Sequence, residues 1–216
     1  KEPMPEEFQY LSNQHTLFTY FHLAGNKEQA KELVKTGITA IAYETVTADD
    51  GSLPLLAPMS AIAGQIGFVV GSYFLLKPNK GIGVLLDSIG DIEPRVVTVI
   101  GAGVAGTEAI KKAVVSGAYV KIIDLSEEKL KQLQQRFGED KIEYIISTPE
   151  TITEALACSD LVIGSVYVVG KEAPKVITKE MISKMKPGSV VVDIAIDQGG
   201  CIETSGPTTH DDPIFM

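Results

Sequence analysis

Strands and helices alternate in the hydrophobic pattern between residues 94 and 200. Short apolar runs bounded by glycine, proline or polar residues are typical of buried strands. Segments with apolar residues every three or four positions, opened by serine or threonine, are typical of helices. The alternation predicts an α/β fold with a doubly wound parallel sheet. The predicted strands are Val96–Ile100, Tyr119–Asp124, Ile142–Ile146, Leu161–Gly164 and Ser189–Ala195, and the predicted helices are Val104–Ser116, Ser126–Phe137, Pro149–Ala157 and Thr178–Met185.

A second, smaller α/β pattern occupies the first 52 residues. The apolar runs Thr16–Phe21 and Ile38–Tyr43 are predicted strands, and Asn26–Lys35 between them is a predicted helix. Asn26 can cap this helix and Gly37 can end it. A strand, a helix and a strand in this order predict a parallel unit that belongs to a second α/β domain.

An uncharged helix is predicted from Ser60 to Leu76, between these two regions. No charged residue occurs between Gly51 and Leu76, and this length could cross a bilayer. Prolines and polar residues interrupt the apolar run, however, so the sequence predicts a buried helix and no membrane partner.

Small residues share one face of this helix. Gly64, Gly67 and Gly71 are three and four residues apart, and they predict a close contact with another backbone. Apolar neighbours such as Ile66 and Val70 would then be exposed to water unless another surface packs against them. We expect the chain to self-associate through this helix, with Gly67 in the contact.

Composition and charge narrow the class of ligand. The formal net charge of the 216-residue chain is −9, which disfavours nucleic acid as a partner. The two cysteines form no CxxC motif, so a disulfide framework and a zinc knuckle are not predicted, and a reducing, cytoplasmic location is expected. The three histidines lack metal-ligand spacing, and no metal site is predicted.

A glycine-rich turn carries the strongest chemical signal. Gly101, Gly103 and Gly106 form a GxGxxG motif between a predicted strand and a predicted helix, and Asp124 ends the next strand. In this context the three glycines predict a tight turn, a close approach to a pyrophosphate and helix–strand packing. The helix start would bind the phosphates. Asp124 would accept both ribose hydroxyls and repel a 2′-phosphate, which favours NAD over NADP.

Other candidates follow the predicted strands, where ligands bind in such folds. Ser147 is either a site residue or a helix cap before Pro149. Asp197 is either a carboxylate over the nicotinamide crevice or a turn residue before two glycines. His22, at the end of the first strand, is either structural or an acid–base group, since histidine titrates near neutral pH.

Several stretches together resemble one family. They are KEPMPEEF, LFTYFHLA, DGSLPLLAPMSAIAGQ, VIGAGVAGTEA, DIAIDQGGC and PTTHDDP. They are similar to the alanine dehydrogenase family, which also contains the alpha subunit of the proton-translocating transhydrogenase. The resemblance implies NAD-dependent oxidative deamination of L-alanine to pyruvate and ammonia, the reverse amination, and a hexameric homo-oligomer. The alternatives are an NAD-binding transhydrogenase subunit and a non-catalytic NAD-binding protein.

The resemblance also assigns roles to individual residues. His22 matches the family's catalytic acid–base, Asp197 its catalytic aspartate and Lys1 its substrate-binding lysine. Asp124 and Lys129 match adenosine-side contacts, and Ser147 an adenine-side serine. The remaining cofactor contacts that the resemblance implies are Ser60, Val104, Ala105, Val166, Tyr167, Ile194, Ala195 and Ile196, with Asp197 beside the nicotinamide.

The domain organisation follows from the same resemblance. We expect residues 1–52 to belong to the catalytic domain, 53–93 to connect the domains, 94–200 to form a Rossmann-type NAD-binding domain and 201–216 to begin the return to the catalytic domain. Family members extend beyond both ends of this chain and include a substrate-binding arginine before Lys1, so this chain alone is expected to be inactive. Gly206 stands where the family usually has arginine.

Overall fold

A two-stranded parallel sheet opens the computed structural model, which describes residues 2–216. Strands β1 (Thr16–Thr19) and β2 (Thr39–Ala42) flank helix α1 (Lys27–Thr36). The side chain of Asn26 accepts a hydrogen bond from the Gln29 N–H at 3.1 Å and caps the helix. The predicted strand–helix–strand unit is confirmed, although both strands are shorter than predicted.

Helix α2 (Ala57–Phe74) follows and is buried on its glycine face only. A Cβ atom at Gly64 would lie 2.0 Å from the Ala105 carbonyl oxygen, so the predicted close backbone contact exists. The expected place of Gly67 in an intermolecular contact is wrong, because a Cβ there would meet the Ile194 side chain of the same chain at 3.1 Å. Within residues 2–216, the structure contains no helix both long enough and apolar enough to span a membrane.

Five parallel strands then form the main sheet. They are β3 (Val96–Ile100), β4 (Tyr119–Asp124), β5 (Ile142–Ile146), β6 (Leu161–Gly164) and β7 (Val190–Asp193), connected by helices α3 (Val104–Val115), α4 (Glu127–Phe137), α5 (Pro149–Cys158) and α6 (Lys179–Ile182). The strand order is β5-β4-β3-β6-β7. The order reverses between β3 and β6, which is where ligands bind in open parallel sheets.

Apolar cores cover both faces of this sheet, as a doubly wound fold requires. On one face, Val97 and Val99 of β3 belong to a cluster that includes residues of α2, α3 and α4. On the other face, Ile100 belongs to a cluster with residues of α5 and α6. The alternation along β3 therefore directs side chains into two cores, and the predicted fold class is confirmed.

Several predicted elements end earlier than expected; helix α2, for example, ends at Phe74 rather than Leu76. Helix α6 ends at Ile182 rather than Met185, and β7 ends at Asp193 rather than Ala195. After β7 the chain turns into a short 3-10 helix, Ile196–Gln198. Asp197 consequently lies in a turn beyond the sheet and not at the end of a strand.

Candidate functional site

The glycine turn between β3 and α3 has the geometry that the motif predicts. Gly101 has a φ of +94°, and a Cβ there would lie 2.8 Å from the Ser165 carbonyl oxygen. A Cβ at Gly106 would lie 1.8 Å from the Gly101 carbonyl oxygen. At Gly103, by contrast, no heavy atom lies within 4 Å of the Cβ position. The first and third glycines are thus required by packing, whereas the second leaves open space.

Helix α3 begins at this open space. Gly103 is its N-cap residue and provides no side-chain hydrogen bond to the first turn. The first N–H groups of a helix have no partner within the helix and attract anions. A dinucleotide pyrophosphate fits this helix start, because the missing Gly103 side chain allows a phosphate to approach the backbone.

Asp124 joins the end of β4 to the glycine turn. One carboxylate oxygen accepts the Ala102 N–H at 2.7 Å, and the other accepts the Ser126 N–H at 2.8 Å. Each oxygen can accept a further hydrogen bond. The carboxylate therefore supports the turn, and its role toward a ribose stays a prediction.

A cleft opens beside the glycine turn, between α2 and the loop after β7. Six predicted site residues line it together, which brings residues from distant parts of the chain to one place. The lining residues are Leu56, Met59, Ser60, Ala63, Ala105, Ser165, Tyr167, Ile194, Ala195, Asp197 and Gln198. The lining is mainly apolar with a few polar groups, as small-molecule sites commonly are.

The two predicted catalytic residues meet at this cleft. His22 Nδ1 lies 3.2 Å from Asp197 Oδ2, and the His22 side chain is 17% exposed. A Cβ at Gly25 would lie 2.2 Å from the Asp197 carbonyl oxygen, so this glycine allows the two turns to touch. The pair joins the N-terminal unit to the loop after the main sheet.

Glu44 holds the backbone of His22. This carboxylate is buried, and it accepts the His22 N–H at 2.7 Å and the Phe21 N–H at 3.1 Å. His22 has a φ of +52°, a left-handed conformation that is uncommon for residues other than glycine. Glu44 thereby fixes a backbone conformation that aims the imidazole at Asp197.

The electrostatic surroundings favour a charged imidazole. The hydrogen bond to Asp197 raises the pKa of His22 above its ordinary value of 6.5, although burial acts in the opposite direction. The negative charges of Asp197, Glu44 and Glu2 raise it further. The pKa of Tyr167 is raised as well, in this case chiefly by burial. The Tyr167 hydroxyl lies 3.5 Å from the Glu44 carbonyl oxygen.

The other predicted residues do not line the cleft. Ser147 follows β5 and donates its N–H to the Asp124 carbonyl at 3.0 Å. It is not the helix cap, since Thr148 caps α5. Val104 and Lys129 lie in the first turns of α3 and α4. The others outside the lining are His22, which reaches the cleft through Asp197, and Gly101, Gly103, Gly106, Asp124, Val166 and Ile196. Lys1, the predicted substrate lysine, lies outside the described residues.

Sequence reasoning missed two polar residues of this site. Glu44 follows an apolar strand, and a charged residue in that position was a usable signal. Gln198 is buried, and its Nε2 lies 3.5 Å from His22 Nδ1. Residues 2–216 contain no group of three or more histidine, cysteine, aspartate or glutamate side chains suited to a metal ion.

The fold and the site define an α/β protein with a dinucleotide-type glycine turn and an adjacent histidine–aspartate pair. The chain belongs to the alanine dehydrogenase/PNT family. The family's N-terminal domain, described as "Alanine dehydrogenase/PNT, N-terminal domain", matches residues 1–63, and the corresponding C-terminal domain matches residues 67–216.

Individual relatives agree with this assignment. An alanine dehydrogenase from Halomonas elongata is 49% identical over 216 residues, which cover the whole chain and 58% of the relative. A solved L-alanine dehydrogenase structure, 44% identical, superposes with a TM-score of 0.87 over the whole chain and 59% of its own. A transhydrogenase structure from Sinorhizobium meliloti is 26% identical, with a TM-score of 0.76 over 97% of this chain and 62% of its own. The chain spans less than two thirds of each relative.

Proposed function

We propose that this protein catalyses the NAD-dependent oxidative deamination of L-alanine to pyruvate and ammonia, and the reverse amination. The observation that carries the proposal is the His22–Asp197 pair beside the cleft and the glycine turn. The relatives at 49% and 44% identity are named alanine dehydrogenases, which supports the same reaction for this chain.

NAD is the proposed cofactor, and when bound it supplies the acceptor for the substrate hydride. The open space at Gly103 and the uncapped start of α3 support pyrophosphate binding there. Asp124 is proposed to bind the adenosine ribose, with Ser147 and Lys129 nearby. Ser60, Ala105, Tyr167, Ile194, Ala195 and Asp197 would contact the rest of the dinucleotide along the cleft.

His22 is the proposed acid–base group for the substrate oxygen. Its Nδ1 faces Asp197, which leaves Nε2 for a proton exchanged with the substrate. Asp197 supports the charged imidazole and borders the reacting carbon. Lys1 is proposed to bind the substrate carboxylate or carbonyl.

An activity assay tests the reaction. The protein, expressed from its complete coding sequence, should reduce NAD with L-alanine and oxidise NADH with pyruvate and ammonium. His22→Ala should lower turnover by about 10²–10⁴-fold, as loss of an acid–base group does, and leave the dissociation constant of NADH within a few-fold. Asp197→Asn should act similarly, with some loss of NADH affinity.

The two arms of this assay separate the candidate functions. Unchanged turnover in His22→Ala would contradict the mechanism. NADH binding with no consumption of pyruvate and ammonium would instead favour the transhydrogenase-type subunit, to which the Sinorhizobium meliloti structure is similar. NADH binding without hydride transfer to any acceptor would favour a non-catalytic protein.

A homo-oligomer in the cytoplasm is the proposed form of the protein, and a hexamer is the form that the family resemblance implies. Ile62, Ile66, Val69 and Tyr73 of α2 are each more than half exposed. They are spaced four, three and four residues apart, so they form one continuous apolar face on a helix without charged residues. A second copy of this chain, with its own uncharged α2, would cover that face.

A further inference from the structure

Asp193, the last residue of β7, accepts hydrogen bonds from the loop that follows it. Its Oδ1 accepts the N–H groups of Ala195 at 3.1 Å and Cys201 at 3.2 Å, and the Cys201 thiol at 3.4 Å. Its Oδ2 accepts the Ile202 N–H at 3.0 Å and the Ser205 hydroxyl. All of these donors belong to residues 195–205, so the carboxylate holds this loop in particular.

The donors lie on both sides of Asp197 in the sequence. Ala195 precedes the 3-10 turn that contains Asp197, whereas Cys201 and Ile202 follow it. Asp193 therefore closes the loop at its base. Gly200 permits this closure, because it has a φ of +77° and a Cβ there would lie 2.7 Å from Asp193 Oδ2.

Among residues 2–216, the groups that stabilise the Asp193 carboxylate are uncharged hydrogen-bond donors: backbone N–H groups, a thiol and a hydroxyl. Within the same residues, no lysine, arginine or histidine forms an ion pair with this carboxylate. Burial raises the pKa of the Cys201 thiol to about 12, so this group keeps its proton and stays a donor. An amide in place of the carboxylate would turn N–H groups toward some of these donors, and the loop would have to move.

The outer side of the loop has separate support. The Ala173 N–H donates to the Gln198 carbonyl at 2.8 Å, and Lys175 Nζ donates to the carbonyls of Gly199 and Ile202. These contacts do not involve Asp193. Loss of the Asp193 carboxylate should therefore displace the loop without unfolding the domain.

We propose that Asp193 is a positioning residue that sets the place of Asp197 against His22. The catalytic importance of this positioning rests on the proposed function, in which His22 and Asp197 take part in the reaction. The geometric claim stands separately: the loop geometry that Asp193 fixes determines whether the Asp197 carboxylate reaches the imidazole. A carboxylate that only stabilised the fold would leave that contact unchanged.

Titration of His22 by NMR tests the geometric claim. The chain has three histidines, so their signals can be assigned by substitution. Within residues 2–216, the charged groups that act on His22 are Asp197, Glu44 and Glu2. Asp197→Asn removes the charge that pairs with His22, and the resulting fall in the His22 pKa is the reference value. Asp193→Asn, which leaves all three carboxylates in place, should lower the His22 pKa by at least roughly half of that fall.

Asp160→Asn is the matched control. Asp160 is a buried carboxylate just before β6, at the other end of the sheet, and it accepts the Val96 N–H at 2.9 Å and pairs with Lys186 at 3.0 Å. This variant should lose stability and leave the His22 pKa unchanged. If Asp193→Asn does not fold, Ser205→Ala removes one donor and should lower the His22 pKa by a smaller amount.

The outcomes separate the two proposals. An unchanged His22 pKa in folded Asp193→Asn, or in Ser205→Ala where the former does not fold, would overturn the positioning role. A fall with Asp160→Asn as large as with Asp193→Asn would overturn it as well, because the effect would then be general destabilisation. A fall specific to Asp193→Asn in a protein that does not oxidise alanine would reject the proposed function and support the positioning role.

Discussion

Three carboxylates act on His22, and together they make its charge depend on folding. Asp197, Glu44 and Glu2 all favour the imidazolium, and the pKa of His22 is raised in the folded chain. A raised pKa means that the folded state binds the proton more tightly than the unfolded state. This contribution to the free energy of unfolding is therefore fully present below the ordinary pKa of 6.5 and is lost as the pH rises through the raised pKa.

His22→Gln should thus lose more stability relative to the wild type at about pH 6 than at about pH 9. Urea unfolding at a series of pH values measures the difference in the free energy of unfolding. His210→Gln, a change of an exposed histidine, is the control and should show a smaller dependence. A His22→Gln effect that is the same across this range would contradict the ion pair with Asp197.

Asp124 accepts the Ala102 N–H and is proposed to bind the adenosine ribose as well. The preference for NAD over NADP distinguishes the proposed ribose contact from the structural one. Wild-type protein should bind NAD more tightly than NADP, because the carboxylate would repel a 2′-phosphate. Asp124→Ala should narrow this gap, since each lost hydrogen bond to a charged acceptor contributes about 1.5–3 kcal/mol. Asp124→Ala should also weaken the binding of both cofactors, because the Ala102 N–H in the glycine turn loses its acceptor.

Calorimetry with both cofactors measures these four dissociation constants. Glu128→Ala is a suitable control, because Glu128 is exposed on the adjacent helix α4 and its carboxylate bonds to Gln132 on the same helix. Equal affinities of the wild type for NAD and NADP would contradict the ribose assignment.

Local patterns predicted some of these residues, and tertiary contacts determine the others. Gly101, Gly106 and Asp124 occur at fixed positions around one strand–turn–helix unit, so their arrangement was predictable. The left-handed conformation of His22 depends on Glu44, which is 22 residues away. No periodicity in the sequence contains that relation. The family resemblance, and not the pattern, implied that His22 and Asp197 both belong to the site, and their contact at 3.2 Å is seen only in the structure.

At the scale of elements, the packing of α2 against the start of α3 depends on one glycine. Alanine at Gly64 would place its Cβ 2.0 Å from the Ala105 carbonyl, which is backbone and cannot move aside cheaply. Alanine at Gly67 would meet side chains and no backbone: the nearest atoms belong to Ile194 at 3.1 Å and Val192 at 3.5 Å. The two glycines share a face, yet they differ in what they touch.

Gly64→Ala should therefore lower the free energy of unfolding by about 1–3 kcal/mol, as overpacking does. Gly67→Ala is the matched control and should be close to neutral. The tight contact with the Ile194 side chain is offset by the helix preference of alanine, which is about 0.5–1 kcal/mol more favourable than glycine within a helix. Chemical denaturation measures both. Gly64→Ala should also weaken NADH binding, since Ala105 borders the cleft. Equal effects of the two substitutions would contradict the close contact at Gly64.

Element boundaries were less predictable than the elements themselves. After Ser189, the run to Ala195 is apolar except for Asp193, and its composition favours a strand to the end. The strand ends at Asp193 because this carboxylate accepts the Ala195 N–H and turns the chain. A hydrogen bond of this kind competes with the strand ladder, and hydrophobic periodicity does not represent it.

At the scale of the whole molecule, contacts between the N-terminal unit and the main sheet complete the site. Besides His22 and Asp197, the Tyr167 hydroxyl approaches the Glu44 carbonyl, and Lys27 pairs with Glu172 at 3.1 Å. Sequence patterns within each unit predicted both folds, but they contain no information on how the units meet. The main sheet alone would present a dinucleotide-type turn without His22.

The exposed apolar face of α2 gives the last prediction. Ile66 is 55% exposed in the single chain, and it lies in the middle of the face formed by Ile62, Ile66, Val69 and Tyr73. If a second copy covers this face, Ile66→Glu would bury an unpaired charge, which is costly in an apolar contact. Ile66→Glu should then reduce the molar mass measured by light scattering, while the fold and NADH binding persist. Val115→Glu, at the exposed end of α3, adds the same charge outside the face and should leave the molar mass unchanged. A wild-type protein that is monomeric across the concentration range, or an equal effect of both variants, would contradict association through α2.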